Sequence, residues 1–200
     1  GLVAYWEVPA EEETAINGKW VQVPTDDFIK TLQSSCPNFN VIAEDLGLIT
    51  DDVKEALRVY KLPGMKVLQF AFGENLETNP YLPHNYDENC IVYTGTHDNN
   101  TTLGWYRKDA TDAEQWNLGV YFHQEVKDDN IVPILIEAAI SSRASVALFP
   151  LQDVLELDEQ SRMNTPGTGN GNWKWRFTRD QLGSEKFDRL AKWTRQYDRT

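Results

Sequence analysis

The chain has 200 residues, 40% of them apolar and 25% charged, a balance ordinary for a folded domain or for part of a larger one. Its formal net charge of −12 argues against a nucleic-acid partner, whose phosphates need clustered Lys and Arg, and against an anionic membrane surface. A neutral ligand such as a sugar meets no such objection, and no apolar run approaches the ~20 residues that cross a bilayer.

At the N-terminus, GLVAYWEVPA lacks a basic leader and is interrupted by Glu7 and Pro9, so it does not read as a signal peptide. It also lacks an initiator Met, and the chain is expected to have been cut from something longer. The acidic run at 11–13 reads as a solvated loop. Next comes TAI-NG-KWVQV, whose Asn17-Gly18 dipeptide between alternating residues predicts a type I′ hairpin outside the main sheet.

Four segments read as buried strands: NFNVIAED (38–45), GMKVLQFAF (64–72), CIVYTGTHD (90–98) and SVALFPLQD (145–153). Each is short, apolar and rich in β-branched or aromatic residues, as parallel strands covered on both faces are. Thr50 is placed to cap a helix with Asp51 and Asp52 in its first turn and Val53, Ala56, Leu57 and Tyr60 on one face; Pro63-Gly64 ends it. Further helices are predicted within 112–126, near 131–143 and over 184–198. The last puts Phe187, Leu190, Ala191 and Tyr197 on one side. Residues 73–89 read as a long loop after a strand, a place where function often resides. Strands alternating with helices predict an α/β fold with a parallel sheet. Cys36 and Cys90 form no CxxC pair and read as buried free thiols of a reducing compartment.

In parallel α/β folds chemistry collects where strands end. The first predicted strand ends in Glu44-Asp45 and the third in His97-Asp98. Side chains alternate along a strand, so Glu44 and Asp45 cannot both face one cavity. One faces the site while the other bonds to backbone, unless Glu44 itself only caps a strand end. Carboxylates at two strand mouths suit glycosyl transfer, which needs an acid for the leaving oxygen and a second carboxylate as nucleophile or base. A metal is not expected, because His84, His97 and His123 lie far apart and outside HxH or HExxH spacing. The segment RMNTPGTGNGNWKWRF (162–177) reads either as a surface loop pinned by Trp173 and Trp175 or as a sugar-facing loop.

VIAEDLG, LPGMKVLQFAF, YLPHNY, VYTGTHDNNTTLGWY and RMNTPGTGNGNW, in this order, resemble the 4-α-glucanotransferases of glycoside hydrolase family 77, the amylomaltases or disproportionating enzymes. The resemblance runs nearly end to end. It implies one partial catalytic domain over 1–200 with no separate second domain: the C-terminal half of a TIM (β/α)8 barrel, about strands 5 to 8, with a hairpin excursion. It also implies cofactor-free, retaining transfer of α-1,4-glucan segments between maltooligosaccharides. By the same resemblance Glu44 is the general acid/base, Asp98 the transition-state-stabilising aspartate, and His97 and Asn164 contact the sugar. Asn100 departs from the family, which commonly has Asp there, and local retuning is the expected result. The family's nucleophilic Asp belongs to a motif that directly precedes a segment like LVAYW. Gly1 resembles the last residue of that motif, so these 200 residues are expected to lack the nucleophile, to need the N-terminal half of the barrel as partner, and to be inactive alone. The compartment implied is a bacterial cytoplasm or a plastid. A related α-glucan hydrolase and a non-catalytic glycan-binding piece are the alternative readings.

Overall fold

The computed structural model describes residues 1–37, 40–47 and 49–199. The chain divides into two compact units, Gly1–Met65 and Lys66–Thr200.

The first unit opens with β1 (Ala4–Glu7), antiparallel to β2 (Lys19–Gln22) in the register Ala4↔Gln22 to Glu7↔Lys19. The hairpin exists, but its connection runs from 8 to 18 instead of turning at Asn17-Gly18. Facing residues explain the register. Trp6 and Trp20 meet edge to face at 5.3 Å, and Lys19 pairs with Glu7 at 3.1 Å. Trp6 also donates its indole N–H to the Ala15 carbonyl at 2.7 Å. A Cβ at Gly18 would lie 2.4 Å from the Trp6 ring, so this glycine makes room for the indole.

Two helices follow, α1 (Thr25–Ser35) and α2 (Asp51–Tyr60). The sequence reading missed α1, whose single fully buried apolar residue, Ile29, gives a weak periodic signal. In α2 the predicted face holds: Val53, Ala56, Leu57 and Tyr60 are its less exposed residues. Its start differs from expectation. Thr50 occupies the cap position, but its hydroxyl donates to the Asp52 carboxylate, which itself accepts the Val53 N–H at 3.0 Å. Its end is set by left-handed Lys61 (φ 53°), before Pro63 is reached. Tyr60 donates to Asp26 at 2.7 Å and ties α2 to α1.

The strand predicted over 38–45 is not formed among the described residues, and 38 and 39 lie outside them. A parallel interior strand needs ladders on both edges. Here, among the described residues, a single backbone bond, Ala43 N–H to the Pro63 carbonyl at 2.9 Å, stands where a ladder would be. Cys36 is exposed and not buried as expected; Cys90 is buried.

The three-stranded sheet has the order β3 (Gly64–Val67), β4 (Cys90–Tyr93), β5 (Val146–Leu148), with β4 and β5 parallel. All three strands are shorter than predicted. After Val67 the chain tightens into a 3-10 turn at Leu68–Phe70. After Tyr93 the Asn99 side chain captures the N–H and the hydroxyl of Thr96, both at 2.9 Å, and bends the backbone out of the sheet. After Leu148, Pro150 precedes a short helix, and the proline has no N–H for a ladder. Val146 and Leu148 are exposed, so β5 is not covered on both faces.

Between β4 and β5 lie α3 (Thr102–Gly104), which runs into a π turn at Trp105–Asp109, then α4 (Asp112–Phe122) and α5 (Ile131–Ser141). A full capping box between Thr111 and Glu114 starts α4. Left-handed His123 (φ 52°) ends it, so the helix lies within the expected 112–126. Pro133 fits within the first turn of α5, where N–H groups have no helical partner. Beyond β5 come α6 (Leu151–Val154) and α7 (Ser184–Gln196). Leu190 and Tyr197 of the predicted face pack on the core, Phe187 stays exposed, and Trp193 of α7 is buried. Arg199 places its guanidinium on the carbonyls of Ile140, Ser142 and Ala144, which closes the C-terminal end of α5.

The core of the second unit centres on Phe72, fully buried and ringed by Trp105, Tyr121 and Phe122 at 5.7–6.4 Å. The loop 73–89 is irregular as predicted, apart from a 3-10 turn at Pro83–Asn85. Its backbone is satisfied by amide side chains. Asn117 donates to the Phe72 and Gly73 carbonyls at 3.0 and 2.7 Å, and Asn85 to those of Glu77 and Asn79 at 3.0 Å. Asn100 is buried and turned inward. Its amide donates to Asp109 at 2.9 Å, and Gly104 packs on its side-chain oxygen.

Phe72→Ala should lower unfolding stability by about 3–5 kcal/mol, whereas Trp116→Ala, at a side chain 74% exposed, should stay within about 0.5 kcal/mol; denaturant titration of both variants checks the contrast. Asn100→Asp exchanges a donor for a second carboxylate facing Asp109. The protein should then lose about 1 kcal/mol at neutral pH and regain it on acidification, when the pair can hold a proton. Denaturation midpoints at pH 7 and pH 4 test this, and equal losses at both would rule out the electrostatic cause.

Candidate active site

Two loops of the second unit meet. One, residues 94–101, leaves β4 and leads into α3; the other, 161–175, follows α6. Between them they bring together His97, Asp98 and Asn164. Asn164 donates its side-chain amide to Asp98 Oδ1 at 2.5 Å, and its backbone N–H donates to the His97 carbonyl at 3.1 Å. His97 Nε2 lies 3.4 Å from the same Asp98 oxygen.

Arg162 closes the junction. One terminal nitrogen donates to the Asp98 carbonyl at 2.7 Å and Nε donates to the Asn164 carbonyl at 2.9 Å. A single planar guanidinium therefore spans both loops, which a lysine cannot reproduce. Arg162 lies within the RMNTPG motif, which by itself assigns it no role. Its signal is its place two residues before Asn164, and backbone carbonyls as targets leave no trace in side-chain patterns.

Trp173 completes the cluster. Its ring lies tilted 5.2 Å from the His97 ring, with 54% of the residue exposed. The residue sits at φ 63°, uncommon for a bulky side chain and of the kind that surrounding structure must enforce. Enforcement is visible: Trp173 N–H donates to the Met163 carbonyl at 2.8 Å, and Asn172 bridges the N–H of Thr165 and the carbonyl of Thr168, both at 3.0 Å. Gly167 and Gly171 take the positive-φ positions of this closed loop.

Asp98 is half-exposed, so its carboxylate is oriented by the protein yet open to solvent. Oriented carboxylate, imidazole and amide beside an exposed indole form a surface that can receive a sugar: hydroxyls to the polar groups, an apolar ring face to the indole.

Glu44 belongs to the first unit, where it is exposed in an irregular segment. Its neighbour Asp45 turns to backbone and accepts the Met65 N–H at 2.6 Å. A Cβ at Gly64 would fall 2.4 Å from that carboxylate, so only glycine leaves room for the bond. Among the described residues no group of three or more His, Cys, Asp and Glu is arranged to hold a metal.

Comparison with known proteins accounts for these motifs together. The family model described as 4-alpha-glucanotransferase, glycoside hydrolase family 77, matches residues 1–181. The chloroplastic/amyloplastic 4-alpha-glucanotransferase of Solanum tuberosum is 44% identical over 190 residues, which is 95% of this chain and 32% of the relative. That of Thermus thermophilus is 44% identical over 196 residues, 95% of this chain and 39% of the relative. The solved amylomaltase from Streptococcus agalactiae in complex with acarbose superposes with a TM-score of 0.91 at 29% identity, over 98% of this chain and 39% of that one. The chain thus spans about a third to two-fifths of the length of these relatives. With its mixed α/β fold and its motifs in register, it belongs to the 4-α-glucanotransferase family, glycoside hydrolase family 77.

Proposed function

We propose that the chain is part of a retaining 4-α-glucanotransferase and forms the C-terminal half of its catalytic (β/α)8 barrel, about strands 5 to 8, both units being portions of that one domain. The observation that carries the reading is the convergence of His97, Asp98 and Asn164 on shared hydrogen bonds, from motifs 66 residues apart in the chain.

The reaction is a double displacement between α-1,4-glucan chains. Glu44, protonated, donates to the glycosidic oxygen while a nucleophilic aspartate, absent from these 200 residues, attacks the anomeric carbon. Glu44 then takes the proton of the incoming 4-hydroxyl, whose oxygen displaces the aspartate and restores the original anomeric configuration. Asp98, held on one oxygen by Asn164, presents the other to sugar hydroxyls and stabilises the positive charge that develops on the ring. His97 contacts the same sugar, and the N-terminal half of the barrel supplies the nucleophile. No helix among the described residues is long and apolar enough to cross a membrane. The plastid and bacterial relatives make a plastid stroma or a bacterial cytoplasm the proposed setting.

In the complete protein, Glu44→Gln should remove nearly all transfer from maltotriose, a loss of roughly a thousandfold or more; a variant that keeps most of its rate sinks the assignment. A count of reducing ends during the reaction separates transfer, which conserves them, from hydrolysis, which raises them. The 200-residue chain alone should yield no longer oligosaccharides from maltotriose. A product ladder would show that the second carboxylate lies within this chain after all.

A further inference from the structure

The adjacent residues Gln152 and Asp153 are both buried, yet neither takes part in the reaction as assigned. Asp153 is fully buried, and among the described residues its hydrogen bonds come from the two ends of the segment 94–102, which carries His97 and Asp98. At the start of that loop the Thr94 hydroxyl donates to Oδ2 at 2.5 Å; at its far end the Thr102 hydroxyl donates to Oδ2 and the Thr102 N–H to Oδ1, both at 2.7 Å. One carboxylate therefore clamps both ends of the 94–102 segment. Gln152, one residue earlier on α6, donates to the Ser161 carbonyl at 3.2 Å, just ahead of Arg162 and Asn164. The dipeptide touches both loops, and those loops touch each other through Asn164, Arg162 and Asp98.

We propose that Gln152 and Asp153 are positioning residues that set the spacing of the two loops, so that the Asn164–Asp98 contact is formed before a sugar arrives. The proposal rests on the reading of these loops as glucan-contacting. Its physical basis is preorganisation: displacement of a charge-bearing group by about 1 Å can cost a hundredfold in rate. A loop clamped at both ends by one buried group has little room for such displacement.

The test compares Asp153→Asn, which keeps the shape but replaces one acceptor oxygen with a donor, with Gln152→Ala and Thr94→Val. In the 200-residue chain, amide hydrogen exchange should quicken roughly tenfold or more over 94–102 for Asp153→Asn and Thr94→Val, and over 161–164 for Gln152→Ala, while α5 stays protected. In the complete protein, kcat for maltotriose should fall by roughly ten- to a hundredfold well below the unfolding temperature, with KM changed by less than about threefold. Unchanged exchange in the named segments overturns the proposal. So does a lowered unfolding midpoint with kcat intact, the mark of a purely structural role. If Asp153→Asn does not fold, Thr94→Val and Gln152→Ala carry both measurements. Absence of transfer by the unsubstituted complete protein would sink the functional reading instead, and exchange alone would then decide whether the dipeptide sets the loops.

Discussion

A carboxylate with no access to water is the constraint around which the second unit is arranged. Burial pushes the Asp153 carboxyl above the ordinary range, while hydrogen bonds from Thr94 and Thr102 draw it back. An ionised group left unpaired there would cost several kcal/mol, so its acceptors have to be filled. The donors that fill them lie at the two ends of one loop. That requirement brings the end of β4 and the start of α3 to a single point. The segment between them then has to arch outward, and His97 and Asp98 are on the arch. Thr102 is buried for the same reason, and the Asn99 turn at Thr96 completes the bend.

Helices were more legible in the sequence than strands, for a physical reason. A helix makes its hydrogen bonds within itself, and its apolar stripe is written at local spacing; Val53, Ala56, Leu57 and Tyr60 of α2 were therefore identified one by one. Even so, α1 was missed, because Ile29 is its one fully buried apolar residue. A strand exists only where a neighbour completes its ladder, and no local pattern records where the neighbour stops. Apolar residues beyond Val67, Tyr93 and Leu148 were read as continuing strands, although the chain turns there. Leu68, Gln69, Ala71 and Phe72 are buried as the pattern asks, but in a 3-10 turn and its exit, and Phe70 of the same turn is exposed. The pattern indicates burial at four of these five positions and leaves their conformation open.

The candidate site was legible in a different way. Glu44, His97, Asp98 and Asn164 came from motifs, and the convergence of the last three is a fact of packing that motifs do not contain. What was missed has one character: Arg162, Gln152 and the N–H of Trp173 all bond to backbone carbonyls. Any residue type offers a carbonyl, so the recipient of such a bond leaves no mark in the sequence. Asp153 leaves a faint mark, an acid separated by Gln152 from the apolar run VALFPL, and only the burial of its surroundings gives that mark meaning. The Asn17-Gly18 dipeptide carries the opposite lesson. Its glycine was read as turn chemistry, whereas it is needed as space beneath Trp6.

On the proposed assignment, sugar contact and proton transfer reside in different units of the chain. Asp98, His97, Asn164 and Trp173 form a set whose mutual contacts lie within Lys66–Thr200. Glu44 is different. It is exposed in a segment without a ladder, steadied next door by Asp45 on the Met65 N–H and by the absence of a side chain at Gly64. Groups that bind can be fixed well before the groups that react, because binding tolerates a partial site while double displacement needs two carboxylates at a set separation. On the proposed reading, glucan binding and turnover therefore place different demands on the chain. On that reading, Asp153 and its threonines set how Asp98 is presented to the reacting sugar, so turnover depends on that presentation as well as on where Glu44 is held.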